Sequence, residues 1–201
     1  MKIRTSFIIF AILFLAIQLS PMPGPGALAA EMAGVTLEGT MLIDGQEAPL
    51  VGMGVRTKTF LKVKVYVAGL YMVAPSTDPA QIIGSDQAKA MVMKFVYKEV
   101  EGKKLQDSWR EGFDSNTPTA SADLKKRMDQ FVSLFSGPAV KGDEYVFSYE
   151  PGKGTTVMLR GDVKATIPGG DFASALMAVW FGDRLGDSGL KALKKSILEG
   201  M

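Results

Sequence analysis

The sequence of 201 residues contains no cysteine and no histidine. The absence of cysteine excludes disulfide bonds and thiol nucleophiles, and the absence of histidine excludes Ser-His-Asp triads. Together the two absences exclude zinc and haem-iron sites that use His or Cys ligands. We therefore expect no metal and no cofactor. Any acid–base chemistry would use Asp, Glu, Lys, Tyr or Arg.

The sequence also has little excess of charge of either sign. It has 23 basic and 21 acidic residues, and the two numbers become equal once Lys2 and Arg4 near the N-terminus are set aside. A net charge near zero gives no electrostatic reason to expect a nucleic acid partner.

The N-terminal residues have the pattern of a secretory signal peptide. Lys2 and Arg4 precede an apolar run from Phe7 to Leu19, and a small-residue A-x-A pattern follows, with cleavage expected after Ala29 or Ala30. The alternative is an uncleaved membrane anchor. The apolar run is short for a spanning helix, which needs about 20 residues, so we favour cleavage.

The division that follows is a signal peptide at residues 1–29 and a single domain at residues 30–201. About 170 residues are enough for one domain with its own hydrophobic core. We expect this domain to be exported, in the periplasm, and to have no transmembrane segment after cleavage. The sequence leaves the oligomeric state open.

Periodicity and turn residues predict segregated runs of strands and helices after residue 30. The Asp44-Gly45 pair is a hairpin signal between two strands. Further elements are one or two strands over 54–71, a strand over 90–100, amphipathic helices over 102–113 and 123–135, a β-meander over 141–170, a helix from Asp171 to Gly182 and a final helix over 187–200. This order predicts an α+β fold, an antiparallel sheet with helices on one face.

Two glycine-rich motifs fail as nucleotide sites. "GMGVRT", residues 52–57, lacks the third glycine of a dinucleotide fingerprint and leads into a strand. "EPGKGTT" has a Gly-Lys pair without P-loop spacing, at a place where the meander needs a hairpin turn.

Four segments together resemble, in order and spacing, the bacterial exported branch of the chalcone isomerase-like family. They are "GMGVRTKTF…KVYVAGLY", "WREGFDSN", "KGDEYVFSYEPGKGTTV" and "IPGGDFASALMAVWFGD". The resemblance covers roughly residues 35–198. It implies an open-faced β-sandwich, in which a large antiparallel sheet is packed by a layer of helices and a ligand cleft lies between them.

The resemblance implies little catalytic machinery. Of the polar residues that plant chalcone isomerases use, only the arginine has a clear match, Arg56. The other positions fall on Tyr66, near Leu105, near Gly112 and on Ala173. The polar network that would orient a phenolate and a water is therefore absent, and we expect a non-catalytic protein.

In the non-catalytic, fatty-acid-binding branch of the same superfamily, an Arg and a Tyr hold a carboxylate at the base of an apolar cleft. Arg56 and Tyr66 fit that pattern, because a guanidinium binds a carboxylate with two parallel hydrogen bonds and a phenol adds a neutral donor. The resemblance thus implies a small amphipathic, fatty-acid-like ligand. Trp109 and Phe113 are either core residues or part of the cleft wall.

Two alternatives remain open from the sequence. One is an intramolecular lyase or isomerase acting on an enone, with Arg56 stabilising charge and Tyr66 donating a proton. The other is an interaction module without a small ligand, whose cleft is filled by side chains.

The proposed site depends on a chain reversal. Arg56 and Tyr66 are ten positions apart, which on one straight strand would be about 33 Å. A reversal within residues 59–62 would make them cross-strand neighbours about 5 Å apart. No Gly or Pro marks such a turn, so the residues alone leave it open. The family resemblance favours a hairpin.

Overall fold

The computed structural model describes residues 28–200, so the expected signal peptide lies almost entirely outside the described residues. The described strands are β1 (Ala30–Met32), β2 (Val35–Leu37), β3 (Thr40–Ile43), β4 (Gln46–Lys58), β5 (Val63–Met72), β6 (Lys89–Phe95), β7 (Glu99–Val100), β8 (Ala139–Val140), β9 (Glu144–Glu150), β10 (Gly154–Leu159) and β11 (Asp162–Ile167). The described helices are α1 (Pro79–Gly84), α2 (Gly102–Asn116), α3 (Ala122–Ser133), α4 (Gly170–Phe181) and α5 (Ser188–Leu198).

The centre of the fold is a curled seven-stranded sheet with the strand order β11-β10-β9-β6-β5-β4-β3, and every pairing in it is antiparallel. Turn chemistry sets several of the connections. Asp44 and Gly45 both have positive φ, 52° and 72°, between the paired residues Ile43 and Gln46, as a two-residue hairpin requires. The predicted hairpin and the α+β architecture are therefore confirmed.

The two faces of this sheet are buried against different layers. One face packs against all five helices in a large apolar cluster, which includes Phe147 from the sheet and Phe131 and Trp180 from the helices. The other face has a smaller cluster that includes Tyr71 and Val92, together with Ile43 of the edge strand β3 and Leu37 of β2. The separate two-stranded β1–β2 sheet thus covers part of this face, and the sequence patterns did not predict it as a second layer.

Helix α5 packs directly on β4, and glycines make this possible. A Cβ added to Gly52 would lie 2.2 Å from the carbonyl oxygen of Ile197, and one added to Gly54 would lie 2.9 Å from that of Leu193. The glycines of "GMGVRT" therefore allow helix backbone to approach strand backbone. Among residues 28–200, no helix is long and apolar enough to cross a membrane.

The prediction of a single strand over 90–100 is wrong about where that strand ends. Strand β6 ends at Phe95, and Glu99–Val100 pairs with β8 outside the main sheet. The backbone N–H groups of Val96 and Tyr97 both donate to the carbonyl of Val65, at 3.0 and 3.1 Å. In a regular antiparallel ladder each carbonyl accepts from one N–H group. Because two consecutive N–H groups share the carbonyl of Val65, the regular pairing of β6 with β5 ends here and the chain leaves the sheet.

Candidate functional site

The chain reverses between β4 and β5, as the proposed site required. Arg56 and Tyr66 are directly opposite each other in the register of the two strands. The turn is closed by a 3.1 Å hydrogen bond from the N–H of Lys62 to the carbonyl of Thr59. Thr59 and Lys62 both have positive φ, 66° and 52°, so non-glycine residues adopt the left-handed conformation that the turn needs.

A β-bulge accompanies this pair. Arg56 is opposite Tyr66, but Thr57 is opposite Lys64, so Val65 has no partner in β4. Bulges change the direction of neighbouring side chains and increase local twist. This bulge lies directly beside Arg56, whose side chain is turned under the start of α5.

The Arg56 guanidinium is buried and binds a carboxylate of the protein itself. Its Nη1 and Nη2 donate to the two carboxylate oxygens of Asp187 at 2.6 and 2.5 Å, and Nη1 also donates to the carbonyl of Thr57. The side chain of Arg56 is 8% exposed and that of Asp187 is 34% exposed. This is the parallel two-bond geometry by which arginine recognises carboxylates.

Asp187 also begins α5 and collects further donors. Its Oδ1 accepts a 2.9 Å hydrogen bond from the backbone N–H of Leu190, which makes it the N-cap, and its Oδ2 lies 3.0 Å from Nζ of Lys58. Burial alone would raise the pKa of Asp187. The hydrogen bonds from Arg56, Leu190 and Lys58 outweigh burial and hold this pKa well below its usual range.

The first turn of α5 is held close to this pair. A Cβ on Gly189 would lie 2.0 Å from the carbonyl oxygen of Thr57 and 2.8 Å from Nη1 of Arg56. Glycine at this position therefore lets the helix start directly over the end of β4. The arrangement fixes Asp187 against the guanidinium.

Tyr66 forms the inner side of the site. Its hydroxyl accepts a 3.2 Å hydrogen bond from Nε1 of Trp180, and its ring contacts Phe95 with centroids 5.7 Å apart. Burial raises the pKa of Tyr66, and this effect outweighs the opposing influence of the nearby Arg56 charge. The phenol therefore stays protonated and can donate its proton to a bound acceptor.

Trp109 and Phe113 lie in an aromatic layer between the helices and the sheet. Trp109 contacts Trp180 with ring centroids 5.3 Å apart, which connects it to Tyr66, whereas the aromatic neighbours of Phe113 are Phe131 and Phe172. Among residues 28–200, Nε1 of Trp109 has no hydrogen-bond partner although it is buried. Both are well-packed core residues, which is the core alternative of the two, and neither of the cavities described below is lined by them.

Of the four predicted site residues, the structure places Arg56 and Tyr66 directly opposite each other. Trp109 is connected to Tyr66 through Trp180, and Phe113 is not connected to the pair in this way. Sequence reasoning missed Asp187 and Lys58. The run Asp187-Ser188-Gly189 before an amphipathic segment is typical of a helix start, and so it could have located Asp187. Nothing in the sequence pairs Asp187 with an arginine 131 positions away.

Two surface cavities lie elsewhere. One, of about 440 Å³, lies between the α4–α5 connection and α5 and is lined by Leu185 and Leu198 together with Lys191, Lys194 and Lys195. The other, of about 340 Å³, is lined by Asp86 and Tyr149 among others. Arg56 lines neither cavity, and its two Nη atoms are already bound to Asp187, so a carboxylate that bound them in the same way would take the place of Asp187.

Comparisons with known proteins agree with the architecture. A family described as chalcone isomerase-like matches residues 29–198. Among solved structures, a fatty-acid binding protein from Arabidopsis thaliana matches with a TM-score of 0.66 and 15% sequence identity, covering 85% of this chain and 96% of the other. At this identity the likeness shows the fold alone. No curated protein matches the sequence.

Proposed function

We propose a ligand-binding function for this chain, which belongs to the chalcone isomerase-like family. The protein binds a small amphipathic carboxylate, of the fatty-acid type, with the carboxylate on Arg56 and Tyr66. It does so without catalysis. The Arabidopsis protein of the same fold is described as binding fatty acids, which agrees with this proposal.

The observation that carries the proposal is the buried Arg56–Asp187 ion pair. Arg56, whose side chain is 8% exposed, holds both oxygens of one carboxylate, with the protonated phenol of Tyr66 beside it and aromatic side chains beyond. The carboxylate of Asp187 occupies the position that a ligand carboxylate would take. The protein therefore already contains a binding geometry suited to this chemical group.

Binding on this site is an exchange of carboxylates. The ligand replaces Asp187 on Arg56, and Asp187 keeps its contacts with the N–H of Leu190 and with Lys58. Because Asp187 is one-third exposed and begins α5, its release needs movement of only the first turn of that helix. Neither described cavity reaches Arg56, so the acyl chain occupies the space that this movement opens between α5 and the aromatic layer, and it gains about 0.8 kcal/mol per buried CH₂ group.

The lack of catalytic polar groups supports a binding function over a lyase function. Leu105 and Ala173, at or near positions that are polar in the plant enzymes, are buried apolar residues of α2 and α4. They offer no hydroxyl or amide to orient a phenolate or a water. If an absorbance assay with chalcone-like enones gave a rate above background that Arg56→Ala removed, the catalytic alternative would replace this proposal.

We also propose that the protein is exported and acts in the periplasm, as the bacterial exported branch of the family does. The support is the charged start, the apolar run and the A-x-A pattern in the sequence, together with a family match that begins at residue 29, where cleavage is expected. Mass measurement of the protein recovered from the periplasmic fraction tests this, and a mass that includes residues 1–29 would contradict it.

The binding proposal is tested by identifying what the protein carries. Wild type and Arg56→Ala are incubated with mixed lipids and re-purified, and the bound material is extracted and identified by mass spectrometry. We expect wild type to retain free fatty acids and Arg56→Ala to lose most of them. Equal amounts of the same material on both proteins would refute the role of Arg56.

Arg127→Ala is the matched control. Arg127 makes a similar two-bond pair with Asp171 at 2.6 Å for each bond, but this pair lies at the start of α4. Its loss removes one Arg–Asp pair without touching the site. We expect Arg127→Ala to retain wild-type amounts of fatty acid.

A further inference from the structure

The tip of the β4–β5 hairpin exposes two large apolar side chains at its most prominent point. Phe60 is 89% exposed and Leu61 is 71% exposed, and both lie in the turn between Lys58 and Val63. Turns usually carry Gly, Asn, Asp or Pro, which suit water and tight backbone geometry. Here the turn keeps Phe and Leu and puts positive φ on Thr59 and Lys62 instead.

Basic residues surround this apolar pair. Lys58, Lys62 and Lys64 are exposed, and Lys62 and Lys64 have no acidic partner among residues 28–200. No acidic residue occurs between Glu47 and Asp78 in the sequence. The group formed by Lys58, Phe60, Leu61, Lys62 and Lys64, here called the hairpin tip, therefore combines apolar and positive surface.

A partly exposed tyrosine lies at the same end of the sheet as the hairpin tip. Tyr97 is 44% exposed, and its backbone N–H donates to the carbonyl of Val65 in the strand that follows the tip. Aromatic residues with a polar group are favoured at the boundary between membrane and water. The end of the sheet that carries the tip thus presents two apolar side chains surrounded by lysines, and one tyrosine.

We propose that the hairpin tip docks the protein on an anionic lipid bilayer. Phe60 and Leu61 enter the boundary between headgroups and acyl chains, and Lys58, Lys62 and Lys64 bind the lipid phosphates. The charge of the tip selects this partner over a neutral apolar surface. The long lysine side chains reach outward to the phosphates while the two apolar residues insert.

Docking also places the membrane next to the proposed ligand site. Lys58 belongs to the tip and also contacts Asp187 at 3.0 Å. Lys58 thus connects the hairpin tip to the ion pair that the ligand has to open. The significance of this link rests on the proposed ligand-binding function, whereas docking itself does not.

Fluorescence labelling tests the docking, because the sequence has no cysteine to compete for the label. An environment-sensitive fluorophore is attached to the expected mature protein, residues 30–201, through Phe60→Cys, or through Thr77→Cys as the control. Thr77 follows the other end of β5 and is exposed. With vesicles of equal parts phosphatidylglycerol and phosphatidylcholine, we expect a blue shift and a rise in emission at position 60 and none at position 77.

The size of the effect is measured with unlabelled variants by vesicle flotation. Lys62→Gln combined with Lys64→Gln should weaken binding to the anionic vesicles about 25-fold, since each lysine near such a surface contributes about five-fold. Phe60→Ser should weaken it about ten-fold. Every variant is prepared in the expected mature form without the apolar N-terminal run, so the differences report the tip alone.

No emission change at position 60, or equal changes at positions 60 and 77, would overturn the proposal. A change at position 60 that follows protein concentration without vesicles would show self-association instead, and would also overturn it. Docking does not depend on the ligand site, so Arg56→Ala should still bind the vesicles, and this result would uphold docking. Whether Arg56 holds a fatty acid is decided separately by the lipid-extraction experiment described above.

Discussion

Replacement of Asp187 by asparagine should strengthen the binding of fatty acids. The side-chain amide has no negative charge to hold on Arg56, so it competes with the ligand more weakly, yet asparagine caps a helix as well as aspartate does. A hydrogen bond to a charged group contributes about 1.5–3 kcal/mol. Asp187 is 34% exposed, so we take the lower end, and its removal as a competitor should tighten binding about ten-fold.

The same substitution should destabilise the empty protein. It leaves the buried Arg56 guanidinium without a carboxylate, which we expect to cost about 2 kcal/mol, or roughly 4–8 °C in Tm for a domain of this size. Added fatty acid should restore a carboxylate to Arg56. The rise in Tm on adding ligand should therefore be larger for Asp187→Asn than for wild type.

Displacement of a fluorescent fatty acid such as cis-parinaric acid measures the affinity, and a thermal melt measures the stability. Arg56→Gln serves as the opposite case and should weaken binding at least about thirty-fold. The reasoning is refuted if Asp187→Asn binds no more tightly than wild type while Arg56→Gln binds equally well. That outcome would mean that the ion pair is structural and that no ligand meets it.

Three further predictions concern stability. Gly52→Ala should cost about 2–4 kcal/mol, because its Cβ would meet the backbone of α5 at 2.2 Å, whereas Gly84→Ala, with nothing within 4 Å, should stay within about 0.5 kcal/mol of wild type in urea unfolding. Tyr66→Phe should cost about 1–3 kcal/mol by leaving the indole N–H of Trp180 without its acceptor, and a thermal melt would show no change if that bond were unimportant. The third concerns pH. Because the pKa of Asp187 is depressed in the folded state, the ion pair stabilises fully above the ordinary aspartate pKa of about 3.9 and less as the pH falls below it. The stability difference between wild type and Asp187→Asn should therefore shrink between about pH 4 and about pH 2, and a constant difference would contradict this.

Local patterns were enough to predict most of the elements. The apolar spacing in 102–113 and 123–135 appears as α2 and α3, and Asp44-Gly45 forms the hairpin turn that its chemistry favours. These features depend on residues within one or two turns of each other. The strand over 90–100 was overextended because its end is decided by Val65 of a neighbouring strand.

The candidate site was predicted in part. The family resemblance selected Arg56 and Tyr66, and their register confirms that the hairpin brings them together. Their role as ligand anchors stays a prediction. Trp109 and Phe113 could have been core or cleft wall from the sequence, because an apolar stripe on a helix looks the same in both cases.

The sequence by itself determined which chemistry is excluded, because it contains no cysteine and no histidine. It also determined the periodicity of the strands and helices. Only the tertiary structure decided that Arg56 is paired with Asp187 and that Gly52 and Gly54 lie under α5. The physical reason is distance along the chain. Periodicity and turn propensity act over a few residues, whereas an ion pair across 131 positions forms only after the sheet and helices have packed.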